Sequence, residues 1–213
     1  AAVGTLSTTD VDSGDTFTYT LSGTDAASFE ISSSTLKLKD AVSANYESQA
    51  SYSVTVTATD SGDLTTSQAF SISITNINES PTALALSASS IAENAAGASV
   101  GTLSTADVDA GDTASYSLSG TDAASFEISS STLKLKDSTS ADYESQSSYA
   151  VTVTATDAGG LTTSQAFSIS VTNVNEAPTA IVLSDSSIAE NAAGASVGTL
   201  SSTDVDSSDT FTY

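Results

Sequence analysis

Two short stretches of the sequence concentrate side-chain oxygen atoms that could bind a cation. Residues 75–81 read Thr-Asn-Ile-Asn-Glu-Ser-Pro, and residues 172–178 read Thr-Asn-Val-Asn-Glu-Ala-Pro. Each follows a strand-like segment, and its Asn and Glu side chains need water or a ligand rather than an apolar core. The proline removes a backbone donor and favours an extended conformation just before it. We interpret both stretches as stiff interdomain linkers that hold cations.

The composition limits both the kind of cation and the classes of function. The chain has 26 acidic residues against 4 lysines, with no histidine and no cysteine, and its net charge is −22. Only oxygen ligands remain, and these suit Ca²⁺ or Mg²⁺ rather than zinc or copper. The negative charge argues against nucleic acid and anionic lipid as partners, and no apolar run is long enough for membrane insertion. Nucleophilic dyads and triads that depend on histidine are excluded, so we expect no catalytic site.

The chain consists of near-identical copies with a period of 97 residues. The four residues that begin at Val3 return at Val100 and at Val197, and Pro81 returns as Pro178. A fixed period of this kind indicates a repeat array. Cutting at the linkers predicts a first repeat at 1–78 that lacks its first strand, a complete repeat at 79–175, and the N-terminal part of a third repeat at 176–213. We expect the sequence to be a window cut from a longer array.

The complete repeat carries the signals of seven short strands. Residues 149–156 alternate apolar and threonine side chains, with Tyr149, Val151 and Val153 on one face, and residues 167–172 alternate in the same way. Shorter signals lie near 83–87, 100–104, 116–118, 126–128 and 133–135. Residues 122–125 could form one helical turn at most. Seven short strands in fewer than a hundred residues predict an all-β sandwich.

Acidic residues recur at the ends of these strands with the same period. Any one of them could be an ordinary solvated loop residue, whereas several clusters that all repeat favour a shared role. An EF-hand does not fit, because the sixth position counted from Asp107 is Asp112 rather than glycine and the twelfth is Leu118 rather than glutamate. The acids must therefore be brought together by the fold rather than by one continuous loop.

Taken together, the motifs resemble the cadherin repeat, in the form found in long bacterial surface adhesins, and the resemblance covers the whole chain. It is carried by a glutamate near the end of the first strand, an Asp-x-Glu motif, an Asp-x-Asp motif, an Ala-x-Asp-x-Gly motif and the linker. In that order, the matching residues are Glu93 and Glu190; Asp142 and Glu144, with Asn45 and Glu47; Asp10 and Asp12, Asp107 and Asp109, Asp204 and Asp206; Asp60 and Asp157; and Asn76, Asn78, Glu79, Asn173, Asn175 and Glu176.

This resemblance implies seven-stranded Greek-key β-sandwiches of the cadherin or immunoglobulin kind in a linear array, outside the cell or on its surface. It also implies up to three Ca²⁺ ions at each repeat junction, held by the residues just named. The linker departs from the family pattern, with Asn and Glu in place of Asp and one residue fewer before the proline. Tryptophan is absent, so the tryptophan-mediated strand exchange of animal cadherins is not carried over. The expected partners are neighbouring repeats and identical chains in a filament.

Three functions remain to be compared. The leading hypothesis is a calcium-stiffened spacer of a bacterial adhesin or surface filament. The alternative is a carbohydrate- or partner-binding module, which would need exposed aromatic residues. However, Tyr116, Phe126, Tyr149 and Phe167 fall at core-facing positions, and the exception, Tyr143, sits between two presumed ligands. Paired carboxylates could in principle hydrolyse glycosides, but a catalytic site repeated every 97 residues is an implausible arrangement for an enzyme.

Overall fold

The computed structural model describes residues 1–12 and 14–213 and shows an all-β protein, as predicted. The chain forms two compact units. The first comprises Ala1–Glu79 together with Val108–Gly111, and the second comprises Ser80–Asp107 together with Asp112–Tyr213. The three-part division at the linkers is a separate prediction based on the sequence period.

The first unit contains six strands in two antiparallel sheets. One sheet has the order β1-β4-β3 and the other the order β2-β5-β6. A single 3₁₀ turn at Ala26–Ser28 precedes the third strand. The strands are β1 (Ala2–Thr5), β2 (Thr18–Ser22), β3 (Phe29–Ser32), β4 (Thr35–Leu38), β5 (Ser51–Thr59) and β6 (Thr65–Ser73).

The second unit contains a complete β-sandwich and the start of another. The sandwich has one sheet of order β11-β12-β9-β7 and one of order β10-β13-β14-β8, and β15 pairs with β16 separately. A second 3₁₀ turn lies at Ala123–Ser125, where the sequence predicted one turn. The strands are β7 (Thr82–Leu86), β8 (Ser90–Ala92), β9 (Ser99–Ala106), β10 (Ser115–Ser119), β11 (Phe126–Ser129), β12 (Thr132–Leu135), β13 (Ser148–Thr156), β14 (Thr162–Thr172), β15 (Ala180–Leu183) and β16 (Leu200–Thr203).

Strand β8 is an eighth strand that the seven predicted strands did not include. It runs parallel to the end of β14, with Ser90 opposite Ser170 and Ile91 opposite Val171. Three residues with one large apolar side chain are too short to show alternation. A strand near the start of the repeat and its last strand are therefore joined directly, although about 80 residues separate them in sequence.

The core forms where the predicted apolar faces of the two sheets meet. Val153 of β13, Ile169 of β14 and Leu133 of β12 are fully buried in it. Phe126 packs edge-on against Tyr149 with ring centroids 5.4 Å apart, and Phe29 and Tyr52 repeat this contact in the first unit. Burying each such side chain stabilises the fold by about 1.5–3 kcal/mol. The alternation of long strands thus places the acid-bearing loops at the ends of a rigid sandwich.

Candidate metal centre

Glu93 organises the first group of acids in the second unit. It follows β8, only 3% of its surface is exposed, and it accepts hydrogen bonds from the backbone N–H groups of Tyr143 and Val174, each at 2.7 Å. One oxygen each from Glu93, Asp142 and Glu144 lie within 4.8 Å of one another. The buried Glu93 carboxylate therefore holds both the linker and the Asp-x-Glu loop at the end of β8.

A second group in the same unit shares Glu144. Oxygen atoms of Glu144, Glu176 and Asp206 also lie within 4.8 Å of one another. The Asn173 amide donates to Glu144 at 3.0 Å, and the backbone N–H of Glu176 donates to Asp206 at 2.7 Å. The linker and the Asp-x-Asp loop of the following repeat thus supply carboxylates around one shared glutamate.

The first unit contains the equivalent group, made of Glu47, Glu79 and Asp109. Asp109 is 8% exposed and accepts hydrogen bonds from the Asn76 amide and from the backbone N–H of Glu79, both at 2.8 Å. The contact between the linker and the Asp-x-Asp loop therefore recurs with the period of the sequence. These residues were predicted as ligands from their motifs, and the fold brings them together.

Two further groups show that the predicted set omitted an acid. Asp107, Asp112 and Asp157 come together in the second unit, and Asp10, Asp12 and Asp15 come together in the first. Asp112 and Asp15 were not among the predicted ligands. The signal was present, since each ends the same Asp-rich loop three residues after the second Asp of the motif.

Other predicted ligands close turns in this structure. The Asn45 side chain accepts from the Ser48 N–H at 2.7 Å, in the same way that Asp142 accepts from the Ser145 N–H at 2.8 Å. Asp60 accepts from the N–H groups of Gly62 and Leu64, both at 2.8 Å.

The remaining predicted residues lie at the linkers and in the third repeat. The amides of Asn78 and Asn175 donate to the backbone carbonyls of Glu79 and Glu176. Glu190 is exposed, and Asp204 accepts a hydrogen bond from the backbone N–H of Asp206 at 3.2 Å.

The charges in these groups repel one another. Partial removal from water, and then the charges of Glu93, Glu176 and Asp206, raise the pKa of Glu144. The backbone N–H of Glu176 has the opposite effect on Asp206, whose pKa is lowered. Two of the four lysines form ion pairs with acids outside these groups: Lys37 pairs with Glu30 and Asp40, and Lys134 pairs with Glu127 and Asp137.

A buried carboxylate oxygen without a hydrogen bond occurs both in the group around Glu144 and in the Asp-x-Asp motif of the third repeat. Among the described residues, Glu176 Oε2 and Asp204 Oδ2 have no hydrogen-bond partner. A buried, unpaired carboxylate oxygen is costly unless a cation or a donor meets it. Calcium takes about six to eight oxygen ligands in flexible geometry, which this all-oxygen set of carboxylates and amides can supply. The residues therefore fit calcium.

The comparison with protein families agrees with the fold. The family model described as the cadherin domain matches residues 87–172, so the second repeat contains a cadherin-like domain. No curated protein matches the sequence.

Solved structures of protocadherins are similar. The structure described as a protocadherin gammaB7 EC3-6 cis-dimer has a TM-score of 0.64 and 25% identity, covering 89% of this chain and 48% of that one. The structure of extracellular cadherin domains 3–6 of protocadherin gamma B2 has a TM-score of 0.68 and 22% identity, covering 96% of this chain and 51% of that one. The structure of human protocadherin-24 EC1-2 has a TM-score of 0.58 and 24% identity, covering 75% of this chain and 84% of that one. The chain spans about half the length of the first two.

Cadherin domains are modules of extracellular adhesion-type proteins. Within the described part of the chain, no helix is long and apolar enough to cross a membrane.

Proposed function

We propose that this chain is a calcium-stiffened extracellular spacer, a piece of a bacterial adhesin or surface filament in which calcium is bound at repeat junctions. The observation that carries the proposal is the group formed by Glu144, Glu176 and Asp206, with the unpaired Glu176 Oε2 beside it. Three carboxylates from separate segments converge there, in a protein of net charge −22. Such an arrangement opposes folding unless a cation neutralises it.

Each side chain has a definite part in holding the ion. Glu144 lies in two groups at once, so it would bridge neighbouring cation positions. Asp206 and Glu176 would supply negative charge from the following repeat and from the linker. Asn173 now presents its amide nitrogen to Glu144, and turning the amide over would present its oxygen instead. When bound, calcium supplies positive charge and many oxygen coordination positions.

The spacer part of the proposal is supported by the repetition of the sequence. Near-identical copies suit a molecule in which length matters more than the surface of any single unit. The outer face of the central strands carries hydroxyl groups rather than charges, as in the Thr57–Ser67 and Thr154–Ser164 contacts at 2.8 Å. Charge is thus concentrated at strand ends, where a cation can act on the linkers.

Calorimetric titration combined with small-angle scattering tests the proposal. We expect calcium to bind at several sites per chain. We also expect the distribution of distances within the chain to be narrower in calcium than in chelator. Magnesium at equal ionic strength is the control, because it demands a tighter octahedral geometry and dehydrates reluctantly. An unchanged scattering profile in calcium would contradict the stiffening, and an absence of binding would contradict the metal site.

A further inference from the structure

The turn that follows β8 brings Asn94 into contact with the linker. Asn94 has a φ of 64°, in the left-handed region that asparagine enters more easily than most residues other than glycine. Its backbone N–H donates to the Ala141 carbonyl at 3.0 Å, and its side-chain amide donates to Glu176 Oε1. Asn94 was not among the predicted ligands. A neutral amide on this turn therefore holds one of the linker carboxylates.

The backbone of Glu176 is also held in place. Its N–H donates to the Asp206 carboxylate at 2.7 Å, and its carbonyl accepts from the Asn175 amide at 2.9 Å. With the backbone tied in this way, the length of the side chain decides how far the carboxylate reaches. Glutamate stands here in place of the aspartate of the family linker and is longer by one methylene group. The longer side chain favours the contact with Asn94.

The hydrogen bond from Asn94 occupies only one oxygen of the Glu176 carboxylate. Within the described residues the other oxygen, Oε2, is buried and has no hydrogen-bond partner. The same carboxylate belongs to the group with Glu144 and Asp206. A buried carboxylate oxygen needs a donor or a cation. Asn94 therefore restrains the Glu176 side chain while leaving Oε2 available to a cation.

We propose that Asn94 is a positioning residue that holds the Glu176 carboxylate ready for calcium. The inference rests on the proposed calcium site. A free glutamate side chain loses rotamer entropy when it binds an ion, and a side chain that is already held loses less. Because the amide is neutral, it restrains Glu176 without adding charge to acids that repel one another. Asn94 thus acts on the ion through Glu176 rather than by touching it.

The simpler explanation of Asn94 is the backbone conformation alone. Glycine adopts a positive φ without strain, so Asn94→Gly keeps the turn and removes the amide. The matched control is Asn191→Gly. Asn191 is the copy of Asn94 in the third repeat, has the same φ of 64° and is exposed, and its side chain makes no hydrogen bond within the described residues. Both variants make the same change to the chain, and only one of them removes the contact with Glu176.

The first experiment uses NMR of the side-chain amides of the full chain in chelator. We expect the Asn94 amide protons to be shifted downfield and to exchange with water more slowly than those of Asn191. Glu176→Ala should abolish the difference. An Asn94 amide that already matches Asn191 in the unaltered chain overturns the proposal. This measurement needs neither calcium nor an Asn94 variant, so its result is independent of the proposed calcium site.

The second experiment is a calcium titration of the full chain, read at the backbone amide resonances of Glu176 and Glu79. We expect Asn94→Gly to weaken binding at Glu176 by about three- to tenfold and to leave binding at Glu79 unchanged. Asn191→Gly should change neither. Glu176→Ala should also weaken binding, and adding Asn94→Gly to it should cause no further loss, because the amide acts through that carboxylate.

Each remaining outcome contradicts a definite part of the inference. Asn94→Gly that binds calcium as tightly as the unaltered chain, or more tightly, overturns the positioning role. A further loss of affinity in the Glu176→Ala background overturns Glu176 as the group through which Asn94 acts. An amide that is held in chelator, in an unaltered chain that binds no calcium, overturns the calcium site and with it the role of Asn94 toward the ion.

Discussion

Glu144 belongs to two of the acid groups of the second unit, and its raised pKa predicts opposite effects of one substitution with and without calcium. Because the folded-state pKa lies above the unfolded value, stability is lost as pH rises through it. At neutral pH and without a cation, ionised Glu144 therefore destabilises the folded chain. We expect Glu144→Gln to raise Tm in chelator and to lower Tm in calcium, as measured by thermal unfolding in both conditions.

Asp122 provides the control for that measurement. Its carboxylate accepts hydrogen bonds from the Ala150 N–H at 2.7 Å and from Gln146 at 3.2 Å. This role is independent of any cation, so Asp122→Ala should lower Tm by a similar amount in calcium and in chelator. If Glu144→Gln also shifts Tm equally and in the same direction in both, Glu144 is an ordinary loop acid.

Asn45 and Asp142 occupy the same turn in successive repeats, which allows the two junctions to be compared. The carboxylate of Asp142 belongs to the group around Glu93, whereas Asn45 brings a neutral amide to its own turn. Ligand charge is a main determinant of calcium affinity. We expect Asn45→Asp to tighten calcium binding at the first junction, as measured by calorimetry. Unchanged affinity would remove Asn45 from the set of ligands.

The sequence motifs identified most of the acids that meet, but not how they are shared. Glu93, Asp142 and Glu144 could be proposed from their motifs one at a time. That Glu144 belongs to two groups depends on the closure of the sandwich, which sequence spacing does not specify. Asp112 was passed over because the resemblance assigned no role to that position.

At the level of strands, alternation predicted the long elements and missed the short one. The alternation at residues 149–156 and 167–172 identifies β13 and β14 without ambiguity. β8 has three residues and exists because β14 offers it a parallel edge. Tertiary pairing rather than local preference decides such a strand.

The close approach of β9 to residues 87–88, between β7 and β8, gives a prediction for that strand. A Cβ on Gly101 would lie 2.8 Å from the Ala88 nitrogen and 2.9 Å from Ser87 Oγ, so backbone must shift. We expect Gly101→Ala to destabilise the second unit by about 1–3 kcal/mol in denaturant unfolding. A Cβ on its copy in the first unit, Gly4, would meet nothing within 4 Å, so Gly4→Ala should leave stability unchanged. Equal effects at both positions would contradict the close packing of β9 against this segment.

At the scale of the whole molecule, 26 acids against 4 lysines should make stability depend on the salt concentration. Repulsion between exposed acids is screened over about 10 Å at 0.1 M salt. We expect Tm in chelator to rise as sodium chloride increases, and to rise much less when calcium is present. Parallel salt dependence in the two conditions would mean that calcium does not neutralise the clustered acids.

The parallel pairing of β8 with the end of β14 has a mechanical consequence. β8 lies near the start of the repeat, after β7, and β14 is the last strand of the repeat, and their registered residues run in the same direction from Ser90–Ser170 to Ala92–Thr172. A pulling force applied to the two ends of the repeat therefore acts along both strands and loads their slanted hydrogen bonds together. They must break in one event instead of peeling open in sequence. A repeat joined in this way resists extension under load, which is a property that the proposed spacer would need.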